Sequence, residues 1–228
     1  ARIHKQHILN ILKMLETRNK TEFQADKTPL VELLNEMIRE NDNPLFVRSY
    51  ASMQLAEERR IASEKINHLA YHDALTDLPN RMLFQDRLKD CFREAEELGK
   101  RPAILFFDLD RFKLINDTLG HYVGDNVLRM LAKRLRQLVR PGELLARFSG
   151  DEFIWLIPHV KNRMEAAAFA RRIAQIVSGP YEFEGHELYL TCSTGISIYP
   201  EDGTDEETLV KHADTAMYRA KEIGRAHV

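Results

Sequence analysis

Two short apolar runs, each beside acidic residues, place the tightest constraint on the fold of this 228-residue chain. Residues 103–107 end on Asp108, and residues 153–157 begin just after Asp151 and Glu152. Short apolar runs bounded by polar residues are typical of buried strands. The sequence therefore predicts two strands with carboxylates at their ends.

A hairpin turn is predicted just before the second run. Ser149-Gly150 offers small side chains and one position that readily takes a positive φ, so strands at about 144–148 and 153–158 are expected to pair. If the other strand lies beside this hairpin, Asp108 and Asp151 converge at one edge of the sheet. Carboxylates that close repel each other unless a cation lies between them, and Mg²⁺ binds one or two carboxylates together with substrate phosphates. These two segments predict a metal-dependent reaction of a nucleotide.

The remaining pattern from residue 73 onward predicts an α+β domain. Helices are expected at about 83–98, 110–117, 124–139, 162–177 and 205–223, and further strand-like runs at 181–183 and 187–198. The resulting core order is βαββαβ. This order favours an antiparallel, palm-like sheet with helices packed on one face, as in ferredoxin-like and polymerase-palm folds.

Residues 1–71 are predicted to form a separate, all-helical segment. Apolar residues recur at helical spacing over about 1–19 and 29–41, and a third helix is expected from about 48 to 71. Leu55 and Leu69 flank Ala62 at intervals of seven residues. Two such intervals do not distinguish a dimer seam from a helix packed on its own domain.

Charge and composition limit the substrates and partners that this chain is expected to bind. The net charge of −2 gives no basic excess for a nucleic-acid backbone, so a small nucleotide is the better substrate. No apolar run reaches the roughly 18 residues of a membrane span, so a cytoplasmic fragment is expected, and any membrane tether would have to come from segments outside it. Cys91 and Cys192 show no metal-binding or redox spacing and are expected to be reduced.

Four motifs, in order, resemble those of the GGDEF-domain diguanylate cyclases. The stretch SGDEF at residues 149–153 resembles the family signature, and DALTDLPNR at residues 73–81 resembles the opening motif of the domain. The nucleotide-binding segment is matched by FDLDRFK at residues 107–113 and by Asn116-Asp117, Gly120-His121 and Gly124-Asp125. The closing helix is matched by residues 216–221 and Gly224-Arg225. The resemblance covers residues 72–228.

The resemblance implies a role for each matching residue. Asp108, the Leu109 carbonyl and Asp151 would hold Mg²⁺ or Mn²⁺ against GTP phosphates. Glu152 would be a further metal-facing carboxylate or would help to remove the proton from the attacking hydroxyl. The residues implied in substrate binding are Arg111, Phe112 and Lys113 at the phosphates, Gly150 in the signature, Asn116 and Asp125 at guanine, and Lys221 and Arg225 at the β- and γ-phosphates.

Plainer interpretations exist for several of these residues. Asp108 is also suited to cap the helical segment after it, and Asp125 to cap a helix from Asn126. Lys113 is equally a surface lysine. Lys221 and Arg225 suit a helix C-terminus for dipole reasons alone.

Two departures from the family pattern stand out. Ser149 replaces the first glycine of the signature, and serine at a positive φ is less favourable than glycine. The family's product-inhibition motif, Arg-x-x-Asp, is matched by Arg140 and Glu143. Glu143 is one methylene longer than aspartate, so weak feedback binding is expected.

The resemblance implies a diguanylate cyclase, which condenses two GTP molecules into cyclic di-GMP and two pyrophosphates. One such domain holds one GTP, so catalysis needs a homodimer. The alternative is a catalytically silent module that binds GTP or cyclic di-GMP. Loss of a metal carboxylate or of the phosphate lysine would indicate that alternative, and neither is lost.

Overall fold

The computed structural model describes residues 44–183 and 185–225, which form six helices and six strands. The helices are α1 (Pro44–Tyr71), α2 (Arg81–Leu98), α3 (Phe112–Leu119), α4 (His121–Arg136), α5 (Arg163–Val177) and α6 (Glu206–Arg225). The strands are β1 (Ala103–Leu109), β2 (Leu144–Ser149), β3 (Glu152–Ile157), β4 (Tyr181–Phe183), β5 (His186–Leu188) and β6 (Cys192–Ile198).

A four-stranded antiparallel sheet lies at the centre of the domain, in the order β2-β3-β1-β6. In the middle strand β1, Phe107 faces Phe153 of β3 on one side and Thr194 of β6 on the other. β4 and β5 form a separate two-stranded sheet. The predicted α+β fold, with a palm-like antiparallel sheet and βαββαβ order, is confirmed.

Helices cover both faces of this sheet, whereas the sequence predicted helices on one face. Leu105 and Phe107 of β1 pack with α4 and α5, while Ile104 and Phe106 pack with α2 and α6. Every residue of β1 is buried. A continuous apolar run, rather than an alternating one, is what a strand covered on both faces requires.

Helix α6 lies so close to β6 that only glycine fits between them. A Cβ added to Gly195 would lie 2.0 Å from the Ala213 carbonyl oxygen and 2.3 Å from the Met217 nitrogen. Both atoms belong to the backbone, so no side-chain rotation relieves the contact. This close approach lets residues near the end of α6 reach the end of β1.

Several predicted boundaries differ from the structure, three of them at backbone turns. The segment predicted at 110–117 becomes helical at Phe112, because Arg111 takes a left-handed conformation with φ 58°. The helix predicted from 124 begins at His121, after Gly120 with φ 87°. The single run predicted at 187–198 is divided into β5 and β6. Backbone turns set these limits, and apolar periodicity does not report them.

Helix α1 begins at Pro44, four residues before its predicted start, because proline suits the first position of a helix. The helices predicted at 1–19 and 29–41 lie outside the described residues.

Contacts divide the chain into two units, residues 1–62 and 63–228, and α1 crosses the division. None of the described helices has the length and apolar character needed to cross a membrane.

Candidate active site

The ends of β1 and β3 bring three carboxylates to one edge of the sheet. Asp108 faces Glu152 across the two strands, and Asp151 precedes Glu152 in the turn. The Leu109 N–H donates to the Asp151 carbonyl at 3.4 Å. Asp108 and Asp151 therefore converge as predicted. Asp108 is not a helix N-cap, because the cap position of α3 is Arg111. We call Asp108, Asp151 and Glu152 the carboxylate edge.

Burial and repulsion raise the pKa of two of these carboxyl groups. Asp108 is only 7% exposed, and burial raises its pKa against the opposing effect of Lys221, with Glu152 and Asp110 adding to the rise. Burial is also the main cause of the raised pKa of Asp151, followed by the charge of Asp108. Charged carboxylates are unfavourable in such surroundings, so the carboxylate edge is suited to receive a cation.

One ammonium group already lies at this edge. Lys221 of α6 donates to the Asp108 carboxylate, with 2.5 Å between Nζ and Oδ1. Its side chain is 22% exposed. Neither the predicted phosphate contact nor the helix-dipole interpretation anticipated this bond. Arg225 ends α6, and its side chain lies outside the part of the chain that the structure describes.

Arg147 holds the signature turn (residues 149–152) through hydrogen bonds to a backbone carbonyl. Its Nε and Nη2 donate to the Gly150 carbonyl at 2.9 and 2.7 Å, and its Nη1 donates to Asp73 Oδ1 at 2.9 Å. Asp73 also accepts from the Thr76 N–H at 2.8 Å and from the Thr76 hydroxyl at 2.6 Å. Burial alone would raise the pKa of Asp73, but these hydrogen bonds outweigh it and lower the pKa.

The turn itself differs slightly from the prediction. Both strands run one residue further, so Ser149 pairs with Glu152 and the turn residues are Gly150 and Asp151. Gly150 takes φ 44°, whereas Ser149 is not among the residues with positive φ. The serine therefore causes no strain of the kind expected. Its hydroxyl donates to the Glu152 carboxylate.

The residues predicted at the phosphates lie where β1 passes into α3. Phe112 is buried and begins the helix, and Lys113 is exposed on its first turn. The N–H groups of a first helical turn lack intrahelical partners and favour anions. The start of α3, three residues after β1 ends, is therefore suited to bind an anion.

The residues predicted at guanine lie on two adjoining helices, α3 and α4. A Cβ added to Gly124 would lie 2.0 Å from Oδ1 of Asn116. Gly124 therefore makes room for the Asn116 amide next to Asp125. Asp125 is inside α4, which begins at His121, so the alternative interpretation of Asp125 as an N-cap is wrong.

The Glu143 carboxylate of the predicted product site already accepts hydrogen bonds from within the protein. Glu143 Oε2 accepts from the Arg140 N–H and from Trp155 Nε1, both at 3.1 Å. Trp155 is fully buried, so Glu143 satisfies a polar group inside the core. The Arg140 guanidinium lies over the Phe169 ring, 5.7 Å from its centroid. Product binding by Arg140 and Glu143 stays a prediction.

Sequence reasoning gave no role to Asp110. Asp110 accepts from the Thr191 hydroxyl at 2.6 Å and from the Ser193 hydroxyl at 2.7 Å, and its N–H donates to the Thr191 carbonyl at 2.9 Å. These bonds hold the beginning of β6 beside the end of β1. The second aspartate of the FDLD run was the only sequence signal for this contact.

Comparison with known proteins identifies the family of this chain. The family model described as "Diguanylate cyclase, GGDEF domain" matches residues 70–227. The chain is 43% identical over 171 residues to the bifunctional diguanylate cyclase/cyclic di-GMP phosphodiesterase MucR of Pseudomonas aeruginosa, covering 75% of this chain and 25% of MucR. It is 41% identical over 159 residues to the diguanylate cyclase TpbB of the same species, covering 69% of this chain and 37% of TpbB.

The fold is similar to a solved structure of the coiled coil and GGDEF domain of DgcB from Caulobacter crescentus, in complex with c-di-GMP. The TM-score is 0.71 at 29% identity, with 80% of this chain and 96% of that chain covered. The matched region spans only 25% to 37% of the two curated relatives. The match to residues 70–227 nevertheless includes the whole central sheet, and the chain belongs to the GGDEF-domain family.

Proposed function

We propose that this chain is a diguanylate cyclase that condenses two GTP molecules into cyclic di-GMP and two pyrophosphates. The observation that carries the proposal is the carboxylate edge, where two carboxyl groups with raised pKa values face a single ammonium group, that of Lys221. A purely structural site would pair or neutralise these charges.

The donor set fits Mg²⁺ or Mn²⁺. Asp108, Asp151, Glu152 and the Leu109 carbonyl supply only oxygen ligands, which such hard cations prefer. The ammonium group of Lys221 donates to Asp108 within this set, so positive charge is favoured beside that carboxylate. When bound, the cation neutralises phosphate oxygens and lowers the pKa of a coordinated hydroxyl.

The other residues would bind and orient GTP. Lys113 and the amides at the start of α3 would contact the phosphates, and Lys221 would turn from Asp108 to a phosphate oxygen. Asp125 would accept from the N1–H and amino groups of guanine, which adenine does not offer in that arrangement. Glu152 would face the cation or accept the proton of the attacking 3′-hydroxyl.

Catalysis would require two copies of this chain, because each domain would hold one GTP and each 3′-hydroxyl attacks the α-phosphate of the other GTP. The specific activity of the whole chain should therefore rise with protein concentration until the dimer is saturated. A specific activity independent of concentration, from a chain that is monomeric throughout, would contradict this requirement.

Turnover of GTP by the purified chain with Mg²⁺, followed by detection of cyclic di-GMP, tests the activity. Asp151→Asn should lower kcat by more than about a hundredfold, since even residues that only orient a metal ligand are worth about 10–100-fold. Asp86→Asn, an exposed aspartate on α2, is the matched control and should retain activity.

The second candidate function is a silent module that binds GTP or cyclic di-GMP. The bond between Lys221 and Asp108 favours this candidate, because it places an ammonium group on a carboxylate proposed to hold the cation. Binding of GTP by calorimetry without formation of cyclic di-GMP, in a folded and dimeric sample, would favour it over the cyclase.

A further inference from the structure

Three potential metal ligands meet where α1 ends, away from the carboxylate edge. His68, His72 and Asp77 each present one ligand atom, and these atoms lie within 4.8 Å of one another. No role in GTP binding or turnover has been given to any of them above. We call these three residues the junction cluster.

The backbone holds the two histidines one helical turn apart. The His72 N–H donates to the His68 carbonyl at 2.9 Å, which places both side chains on the same side of the chain. Their rings are stacked, with centroids 4.1 Å apart and planes 14° apart. Two histidines separated by four residues on a helical turn are a recurring way to hold one metal ion.

A tight loop returns Asp77 to the histidines. The Asp77 N–H donates to the Asp73 carbonyl at 2.8 Å, and Asp77 takes a left-handed φ of 57°. Its Oδ1 then lies 2.6 Å from His68 Nε2. The third ligand therefore comes from the loop that follows the helix.

Neighbouring groups orient the ligands. Arg136 donates to the Asp77 carbonyl at 2.5 Å and lies 3.5 Å from Asp77 Oδ2, so it holds the carboxylate by the oxygen that does not contact His68. His72 Nδ1 lies 3.3 Å from the same Asp77 carbonyl oxygen. Backbone carbonyls and charged neighbours commonly fix metal ligands in this way.

The junction cluster is accessible and of suitable size. The side chains of His68 and Asp77 are 52% and 61% exposed. Zinc lies about 2.0–2.2 Å from nitrogen and oxygen ligands in a tetrahedral arrangement, so two ligand atoms are separated by at most about 3.6 Å. Small side-chain rotations would bring all three atoms within that limit.

We propose that the junction cluster binds one zinc-type divalent cation through His68, His72 and Asp77, with water completing the coordination. Two imidazoles and one carboxylate suit Zn²⁺ rather than Mg²⁺, which prefers oxygen ligands. The site is therefore chemically distinct from the carboxylate edge, and its existence does not depend on turnover of GTP.

Occupation of the site would tie the end of α1 to the opening loop (residues 72–80). This loop includes Asp73, which accepts from Arg147, and Arg147 donates to Gly150 in the signature turn. The cation would thus restrain the loop that supports the signature turn, and hydrogen exchange of the loop amides should slow when the cation binds.

The test is calorimetric titration of the whole chain with ZnCl₂, without Mg²⁺, nucleotide or phosphate. His68→Ala, His72→Ala and Asp77→Asn should each weaken the tightest zinc site by at least about tenfold, because even residues that only orient a ligand contribute about 10–100-fold. His121→Ala is the matched control, since His121 is exposed and outside the cluster. Thermal unfolding without metal checks that each variant is folded, and His68→Gln preserves the exposed helical position if alanine does not.

The expected result is one zinc ion bound at the tightest site by wild type and His121→Ala alike, with weaker binding in the cluster variants. Equal zinc affinity in wild type and folded His68→Ala or His68→Gln would overturn the proposal. An equal loss of affinity in His121→Ala would also overturn it, because the tight zinc site would then lie elsewhere.

Discussion

Asp73 lies at one end of a hydrogen-bonded connection through Arg147, and Gly150, the residue before Asp151, lies at the other end. The charges of Asp73 and Asp151 are nevertheless compensated in opposite ways. Asp73 accepts hydrogen bonds from Thr76 and Arg147, and these bonds lower its pKa despite burial. Asp151 has its pKa raised by burial and by the charge of Asp108. The opening loop is therefore built to keep a carboxylate charged, whereas the carboxylate edge tolerates charge that the fold does not fully compensate.

This difference separates residues that stabilise the fold from residues reserved for a ligand. A group whose charge is satisfied within the protein contributes to folding in the absence of any partner. A group left under-compensated lowers the stability of the ligand-free protein and regains it when a cation binds, because binding to the native state alone stabilises that state. Substitutions of Asp73 and Asp151 should therefore have opposite effects on stability.

Asp73→Asn should produce the largest change in stability. The amide removes the charged acceptor of Arg147, and a hydrogen bond to a charged group contributes about 1.5–3 kcal/mol to the free energy of unfolding. For a domain of this size, Tm falls by about 2–4 °C for each kcal/mol. Thermal unfolding beside the control Asp86→Asn measures the effect, and a Tm equal to wild type would remove Asp73 from the stabilising side of the comparison.

A third carboxylate, Glu143, should behave like Asp73. In Glu143→Asp the shorter side chain leaves the Trp155 indole N–H without its acceptor, which costs about 1–3 kcal/mol for a buried donor. Tm should fall accordingly. The released carboxylate should also bind cyclic di-GMP more tightly than wild type, and calorimetric titration with cyclic di-GMP checks this. Unchanged stability together with unchanged binding would show that the contact with Trp155 does not limit the product site.

Asp151→Asn should shift stability in the opposite direction. Neutralising Asp151 removes its repulsion with Asp108, so Tm of the protein without metal or nucleotide should rise, by about 2–4 °C if roughly 1 kcal/mol is relieved. Thermal unfolding in a chelating buffer is the measurement. A lower Tm for Asp151→Asn than for wild type would mean that the carboxylate stabilises the fold, and the contrast with Asp73 would disappear.

The pH dependence separates the two cases further. Because the pKa of Asp73 is lowered from its ordinary value of 3.8, its contribution is present above that pH and is lost as the pH falls through its folded pKa. Because the pKa of Asp151 is raised, the native state binds more protons there, and stability falls as the pH rises from 3.8 through its folded pKa. The Tm differences of both variants from wild type should therefore shrink in acid and grow toward neutral pH.

The sequence sufficed to predict the strands that carry Asp108 and Asp151, because uninterrupted apolar runs and a glycine turn are local signals. The same β1 run predicted a buried strand, and the structure covers that strand with helices on both faces rather than on the one face expected. The bond between Lys221 and Asp108 could not be predicted. The bond joins residues 113 positions apart in the chain, and it depends on the close packing of α6 against Gly195.

Local backbone conformation limited the prediction in a second way. The left-handed Arg111 decides where α3 begins, and the inward position of Glu143 depends on the burial of Trp155. Neither follows from composition or periodicity. Elements marked by apolar runs and glycine turns were therefore predicted, whereas a left-handed backbone conformation and contacts between elements were not.

The smallest expected effect concerns Ser149, whose hydroxyl donates to Glu152 at the carboxylate edge. The bond partly offsets the repulsion between the Glu152 carboxylate and the neighbouring Asp108 carboxylate. It also orients the Glu152 carboxylate. Ser149→Ala removes only the hydroxyl, and a single hydrogen bond of about 0.5–1.5 kcal/mol corresponds to roughly a two- to tenfold fall in kcat. Ser149→Gly should lower kcat equally but should also lower Tm relative to Ser149→Ala, because glycine in a strand is about 0.5–1 kcal/mol less favourable than alanine. Unchanged kcat in both variants would show that the hydroxyl does not position Glu152, whereas a fall in Ser149→Gly alone would assign the effect to the backbone of the turn.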